Sequence, residues 1–229
     1  MEIPSNRKRA SLLFKAIVVL SAAAGVFLSA RGAANTFMGG KRVLMFFTIQ
    51  SNIAIALIAL IGTILLIKDA KIGTAWATVR LVGTVSITLT GAVFTFMLAP
   101  TLGDYAWNVQ NVLTHVVVPV AAILDFFLTG PCFEIPKKNV FYVILPPGAY
   151  ALYAGIGYLA GWEFIEGIRY PYFFLNWGSP AGAFGFAREL PYLGCVWWIL
   201  LLMALLIAVG LGYLALAGRI RRRLKSSAL

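Results

Sequence analysis

Apolar residues along the chain gather into six long runs that polar residues separate. The runs extend over about 12–30, 44–67, 79–98, 110–128, 140–161 and 193–217. Each can reach about 17–25 residues, which is the length of a helix that crosses the hydrocarbon core of a bilayer. None of the runs alternates like a membrane β-strand, and the backbone of a single span in lipid must then be helical. The pattern predicts an all-α polytopic membrane protein, a six-transmembrane-helix bundle in one domain.

Composition agrees with this pattern and excludes three other classes of protein: soluble globular domains, disordered chains and small disulfide-held scaffolds. Hydrophobic residues make up 61% of the chain and charged residues 12%, whereas a soluble domain averages about 45–50% and about 25%. Disordered chains need low hydrophobicity, so disorder is excluded as well. Two cysteines are too few for a small secreted scaffold held by disulfides.

The chain has a net charge of +11, and its basic residues are divided unequally between the two ends of the predicted bundle. Of 19 lysines and arginines, 14 lie in the N-terminal segment, the second and fourth loops and the C-terminal tail, and five lie in the first and fifth loops. Basic residues concentrate on the cytoplasmic side of membrane proteins. We therefore expect both termini to be cytoplasmic, and the charge gives no reason to expect a nucleic-acid partner.

Polar residues open the second run. At about 100° per residue, Thr48, Ser51 and Asn52 share one face of a helix, while Gln50 points nearly the opposite way. Polar groups inside spans are costly and often functional. The alternative is structural, because such side chains also bond to their own backbone or hold helices together.

The fourth run carries a second polar face. Asn108, Asn111 and His115 are spaced i, i+3 and i+7, and His115 is the only histidine. A lone histidine can be a packing residue, or it can transfer protons, because its side chain titrates near neutral pH. The chain offers no second histidine, close cysteine pair or carboxylate cluster, so we expect no metal site and no cofactor.

The two polar faces are expected at the same depth in the bilayer. Thr48 and His115 each lie a few residues inside runs that cross the membrane in the same direction, so they are expected at one level, in the outer third of the bilayer. A hydroxyl with a base in reach is the minimum for covalent acyl transfer. Asp125 is about 15 Å deeper than His115, at the level of Arg80, and is expected to form a structural ion pair or hydrogen bonds at the inner surface. Lys15 is expected to extend toward the inner surface.

Aromatic residues crowd the one long connection, about 162–192. Tryptophan and tyrosine are typical of the membrane–water interface. The segment therefore either lies in the headgroup layer or covers an outward-facing lipid site.

Three short motifs resemble those of the androgen-induced protein family and occur in the same order along the chain. The family includes an androgen-dependent regulator of tissue factor pathway inhibitor and a microbial branch of six-helix membrane proteins. Segment 47–52, FTIQSN, resembles its F-T-x-x-S-N signature. Segment 170–176, YPYFFLN, looks like its later aromatic motif. The motif of its fourth helix is matched by four residues: Asn111, His115, Pro119 and Asp125.

The resemblance implies an activity. Characterised members of the family are membrane threonine hydrolases that cleave fatty acid esters of hydroxy fatty acids, with a threonine and a histidine that match Thr48 and His115. The implied partner is a lipid substrate with an acyl chain, and the implied function is that of an intramembrane hydrolase. An oxyanion formed in such a reaction needs hydrogen-bond donors, for which Ser51, Asn52 and Asn111 are the side-chain candidates. The loops of this chain are short, as in the microbial branch of the family. The substrate of the animal proteins therefore need not be the substrate of this chain.

Two other functions fit the same sequence. The same threonine and histidine could pass an acyl group to a second lipid, which would make the chain an acyltransferase. A transporter or scaffold without enzymatic activity is the third alternative, although the chain has few of the intramembrane charges or broken helices that favour transport. The oligomeric state does not follow from the sequence.

Overall fold

The six apolar runs fold into helices in a computed structural model that describes residues 3–33 and 40–226. Within those ranges no β-strand forms beyond two isolated bridges. All six helices are long and apolar enough to cross a membrane, so the chain is an all-α, multi-pass membrane protein. We number them in chain order: α1 Ser5–Ala33, α2 Phe47–Ile67, α3 Thr74–Leu102, α4 Val109–Cys132, α5 Lys137–Leu159 and α6 Cys195–Ser226.

Three of the helices change their winding along their length. In α3, a π-helical turn, Phe94–Leu98, separates two α-helical parts, Thr74–Val93 and Ala99–Leu102. In α4, a π-helical turn, Leu113–Val117, separates Val109–Val112 from Val118–Thr129, and a 3-10 turn, Gly130–Cys132, ends the helix. The helix α5 begins as a 3-10 helix, Lys137–Ile144, and continues as Leu145–Leu159. Separate short 3-10 helices are Arg42–Met45, Gly103–Trp107 and Phe173–Leu175.

The first and last helices extend beyond their apolar runs. The helix α1 begins at Ser5 and α6 ends at Ser226, whereas the apolar runs begin near residue 12 and end near residue 217. Basic residues occupy both extensions. The hydrophobic run measures only the part of a helix that lies in hydrocarbon, and a helix continues into the headgroup layer where long basic side chains reach water.

Two apolar clusters hold the helices together. One joins α1, α2, α3 and α4 around Val18, Ile55, Ile87 and Val118. The other joins α3, α4, α5 and α6 around residues that include Leu81, Val85, Phe126, Val143 and Leu206. The helix α3 contributes to both clusters and is therefore the central element of the bundle.

Ion pairs show which connections share an end of the bundle. Lys8 of α1 contacts Asp69 of the α2–α3 loop at 2.5 Å, and Arg221 of α6 lies 3.8 Å from Glu134 of the α4–α5 loop. The start of α1 and the end of α6 therefore lie at one end of the bundle. At the other end, Arg42 contacts Glu163 at 3.2 Å, which joins the first connection to the long one.

The long connection between α5 and α6 folds back onto the bundle. Phe164 is fully buried, and Phe174 and Leu175 are nearly so. All three belong to the same apolar cluster as α3 and α6. This connection therefore packs against the bundle and covers the end of the helices opposite to the start of α1, between α2 and α6.

Candidate active site

The hydroxyl of Thr48 and the ring of His115 meet at this end of the bundle. Thr48 Oγ1 lies 3.3 Å from His115 Nε2. Thr48 is the second residue of α2 and His115 lies in the π turn of α4. Both helices start at the same end, which brings the two residues to one level. We refer to them as the Thr48–His115 pair.

The partners of the other ring nitrogen define the tautomer of His115. Nδ1 lies 3.0 Å from the carbonyl oxygen of Asn111, which can only accept a hydrogen bond. It also lies 3.0 Å from Thr114 Oγ1, which already donates its proton to Gln110 O at 2.8 Å. The proton of the neutral ring therefore resides on Nδ1. Nε2 is left with a free lone pair, to which the Thr48 hydroxyl donates.

Aromatic packing fixes the plane of the His115 ring. Phe94 stacks on it with 3.8 Å between ring centroids and 19° between planes. Trp107 meets Phe94 edge-on at 5.5 Å. Phe94 is itself 2% exposed, so the imidazole has little freedom to rotate out of line with Thr48.

Proline explains why both helices wind irregularly at the site. Pro119 has no N–H to donate to the carbonyl of His115, four residues earlier, and Pro100 has none for Phe96. Each π turn ends just before its proline, at Val117 and at Leu98. Such π turns are frequent at functional sites, and here two of them place the stacked rings of Phe94 and His115.

Tyr172 is a site residue that the sequence did not identify as one. Its hydroxyl accepts a hydrogen bond from the Thr48 backbone N–H at 3.3 Å and lies 3.5 Å from Thr48 Oγ1. Burial raises the pKa of Tyr172, so the phenol keeps its proton at neutral pH. The YPY motif and the aromatic character of the connection were the available signals, and they did not reveal which tyrosine reaches Thr48.

The three candidate oxyanion donors are engaged with other groups. The Ser51 hydroxyl donates to Thr48 O at 3.0 Å and lies 2.7 Å from Thr90 Oγ1. The Asn52 amide donates to the carbonyls of Thr48 and Thr114, at 2.8 and 3.2 Å.

Asn111 forms hydrogen bonds with residues before and after it in the chain. Its side-chain amide donates to Ala106 O at 2.9 Å, and its carbonyl accepts from the His115 ring. Like Asn52, which joins the first turn of α2 to the π turn of α4, Asn111 positions the Thr48–His115 pair.

Two spaces lie beside the first turn of α2. A narrow cavity of about 60 Å³ lies beside Thr48, and its lining is almost entirely apolar, including Tyr172, Phe174 and Met203. A groove of about 830 Å³ runs between α2, α3 and α5 and is open to the side of the bundle. Phe47 lines both spaces. The Phe47 side chain therefore lies between the cavity beside Thr48 and a long apolar groove.

Asp125 lies in a separate polar cluster toward the other end of α4. Arg80 Nη2 is 3.3 Å from Asp125 Oδ2 and donates to Thr129 Oγ1 at 2.7 Å. Lys15 also contacts the Asp125 carboxylate and is only 3% exposed. The expectation that Lys15 extends to the inner surface is therefore wrong, because the buried carboxylate binds its ammonium group instead.

No group of three His, Cys, Asp or Glu side chains arranged to hold a metal ion occurs among the residues that the structure describes. Comparisons with protein-family models, with curated proteins and with solved structures found no match to this chain. The similarity to the androgen-induced protein family therefore rests on the three sequence motifs alone.

Proposed function

We propose that the chain is an intramembrane hydrolase that cleaves the ester bond of a fatty-acyl lipid, with Thr48 as nucleophile and His115 as general base. One observation carries the proposal: the unprotonated Nε2 of His115 faces the Thr48 hydroxyl at 3.3 Å, while Nδ1–H is held by Asn111 O. A weak alcohol nucleophile needs such a base, and the base needs a fixed tautomer.

The first half of the reaction forms an acyl-enzyme. The Thr48 oxygen attacks the ester carbonyl carbon as its proton passes to His115 Nε2. The carbonyl oxygen becomes an oxyanion, to which the Tyr172 hydroxyl donates. When the oxyanion collapses, the ester C–O bond breaks, and imidazolium returns its proton to the departing alcohol oxygen. The acyl group remains on Thr48.

The second half releases the fatty acid. His115 removes a proton from a water molecule, which attacks the acyl carbonyl, and the proton then returns to the Thr48 oxygen as the acid leaves. The backbone carbonyl of Asn111 takes the orienting role that a carboxylate has in a Ser-His-Asp triad. The first turn of α2 adds the positive end of a helix dipole beside the developing negative charge.

The surroundings of the pair support a lipid substrate. The cavity and the adjoining groove are apolar, and the groove spans from Ala75 to Ser86 on α3, a rise of about 16 Å. An acyl chain fits such a surface, because burying its methylene groups is favourable. Its ester would reach Thr48 past Phe47.

The orientation in the membrane is part of the proposal. The end that carries both termini also carries 14 of the 19 basic residues, which supports a cytoplasmic location for that end. The Thr48–His115 pair then lies in the outer half of the bilayer.

Product analysis tests the reaction class. Purified protein is incubated with long-chain fatty acid esters of hydroxy fatty acids, and the products are identified by mass spectrometry. Free fatty acid and free hydroxy acid in equal amounts support hydrolysis. A new lipid ester that forms only when an acceptor alcohol is added indicates acyl transfer. Intact ester across a broad lipid panel contradicts both.

A further inference from the structure

A large basic cleft opens at the end of the bundle opposite the Thr48–His115 pair. It measures about 1040 Å³ and lies between the N-terminal part of α1, the α2–α3 loop, the α4–α5 loop and the end of α6. We call it the basic cleft. Six basic side chains line it: Lys8, Lys15, Lys71, Arg80, Arg221 and Lys225.

The carboxylates near the basic cleft are too few to balance these charges. Asp69 contacts Lys8, and Glu134 contacts Arg221. A third carboxylate, Asp125, is shared by two of the cations. Three carboxylates against six cations leave a formal excess of three positive charges. Lys71 and Lys225 account for two of them, since neither has a carboxylate within 4 Å among the described residues.

The third excess charge is buried. Lys15 and Arg80 are 3% and 7% exposed, and both contact the single carboxylate of Asp125. A buried charge is costly unless an opposite charge compensates it. Both cations line the floor of the basic cleft, so an anion that enters the cleft can supply the missing charge.

We propose that the basic cleft binds a phosphate-bearing anion. Phosphate oxygens accept several charge-assisted hydrogen bonds, and arginine and lysine are the side chains that bind them in proteins. The volume suits a small ligand or a lipid headgroup. Leu65, Leu66 and Trp76 line the same space and offer apolar contact beside the charges.

Two sources can present this chemistry: the headgroup of an anionic phospholipid and a soluble organic phosphate. The basic cleft lies at the end of the bundle that the charge distribution assigns to the cytoplasm, where anionic lipids attract basic segments. The site is independent of the ester hydrolysis proposed above, because none of the residues that form it contacts the Thr48–His115 pair.

The test uses the full chain purified in a neutral detergent and follows its thermal unfolding. One arm adds phosphatidylglycerol and compares it with phosphatidylcholine, and the other adds glycerol 3-phosphate and compares it with sodium chloride at equal ionic strength. A ligand that binds the folded state raises Tm in a saturable way. A rise with phosphatidylglycerol alone identifies a lipid headgroup, and a rise with glycerol 3-phosphate identifies a soluble phosphate.

Two double variants assign the effect to the basic cleft. Lys71→Gln with Lys225→Gln removes two exposed charges from its lining and should weaken binding about thirtyfold. Lys137→Gln with Lys138→Gln removes the same charge at the same end of the bundle but outside the cleft, and should leave binding unchanged. The absence of a saturable rise in both arms overturns the proposal. So does an equal loss in both double variants, or no loss in the first.

Discussion

The Nδ1 atom of His115 donates to the carbonyl oxygen of Asn111, one turn earlier on the same helix, across 3.0 Å. This bond leaves Nε2 as an acceptor in front of Thr48, so the geometry is that of a base ready to receive a proton. A backbone carbonyl cannot be removed by mutation of the side chain. Substitutions of the side chains around this bond are therefore the way to test the role of His115.

Thr48 and His115 should behave as one unit. We expect Thr48→Ala to abolish ester cleavage and His115→Ala to lower kcat by about 10²–10⁴, the usual contribution of a general base. The double variant should be no slower than the slower single variant. Steady-state kinetics on all three variants measure this. Losses that multiply in the double variant would mean that the residues act separately.

Thr48→Ser and Thr48→Val separate the hydroxyl from the shape of the side chain. Serine keeps the hydroxyl but loses the methyl group that restricts χ1, so partial activity is expected. Valine keeps the branched shape without the hydroxyl, and it should be folded and inactive. Turnover by the valine variant would show that another residue is the nucleophile.

Tyr172→Phe tests the proposed oxyanion donor. Removing one such donor costs about 10²–10³ in kcat, and we expect a loss in this range with little change in KM. Tyr170→Phe, two residues earlier in the same connection, is the matched control and should retain full activity. Because Tyr172 keeps its proton at neutral pH, its loss should affect the rate equally from about pH 6 to pH 9. Equal rates for the two variants would remove Tyr172 from the mechanism.

Gly91 sets the distance between α3 and α4 beside the site. A Cβ atom at this position would lie 2.8 Å from the carbonyl oxygen of His115 and 3.2 Å from Pro119 Cγ. Gly91→Ala should therefore push the π turn of α4 away and lower both activity and Tm. Gly212→Ala is the control, because nothing lies within 4 Å of its added Cβ, and its Tm should be unchanged or slightly higher. Equal behaviour of the two variants would contradict the close helix contact.

Asp125 should matter for stability. Removing one member of a buried ion pair costs about 3–5 kcal/mol, so Asp125→Asn should lower Tm strongly, since Lys15 and Arg80 would remain buried without a carboxylate. Asp69→Asn removes the exposed partner of Lys8 and should cost about 0–1 kcal/mol. Thermal unfolding of both variants in the same detergent gives the comparison. A stable Asp125→Asn variant would indicate that water already compensates the cluster.

The helices and the level of the site could be predicted from the sequence, because both depend on chain length and helical periodicity. Thr48 and His115 lie at one level since each follows the start of its run by a similar number of residues. The contact of Tyr172 could not be predicted, because an irregular connection has no periodicity that directs a side chain. Burial of Lys15 was missed for a related reason: a lysine near a helix end fits both an interfacial and an ion-paired position, and only the packing of α1 against α4 decides between them.

Covalent labelling tests directly whether Thr48 is a nucleophile that His115 activates. Folded protein is treated with a long-chain fluorophosphonate, digested and analysed by mass spectrometry to locate the modified residue. We expect a phosphonyl group on Thr48, no label in Thr48→Ala, and strongly reduced labelling in His115→Ala and after preincubation with a competing ester. A label on any other residue, or wild-type labelling of Thr48 in the His115→Ala variant, would contradict the proposed nucleophile and base.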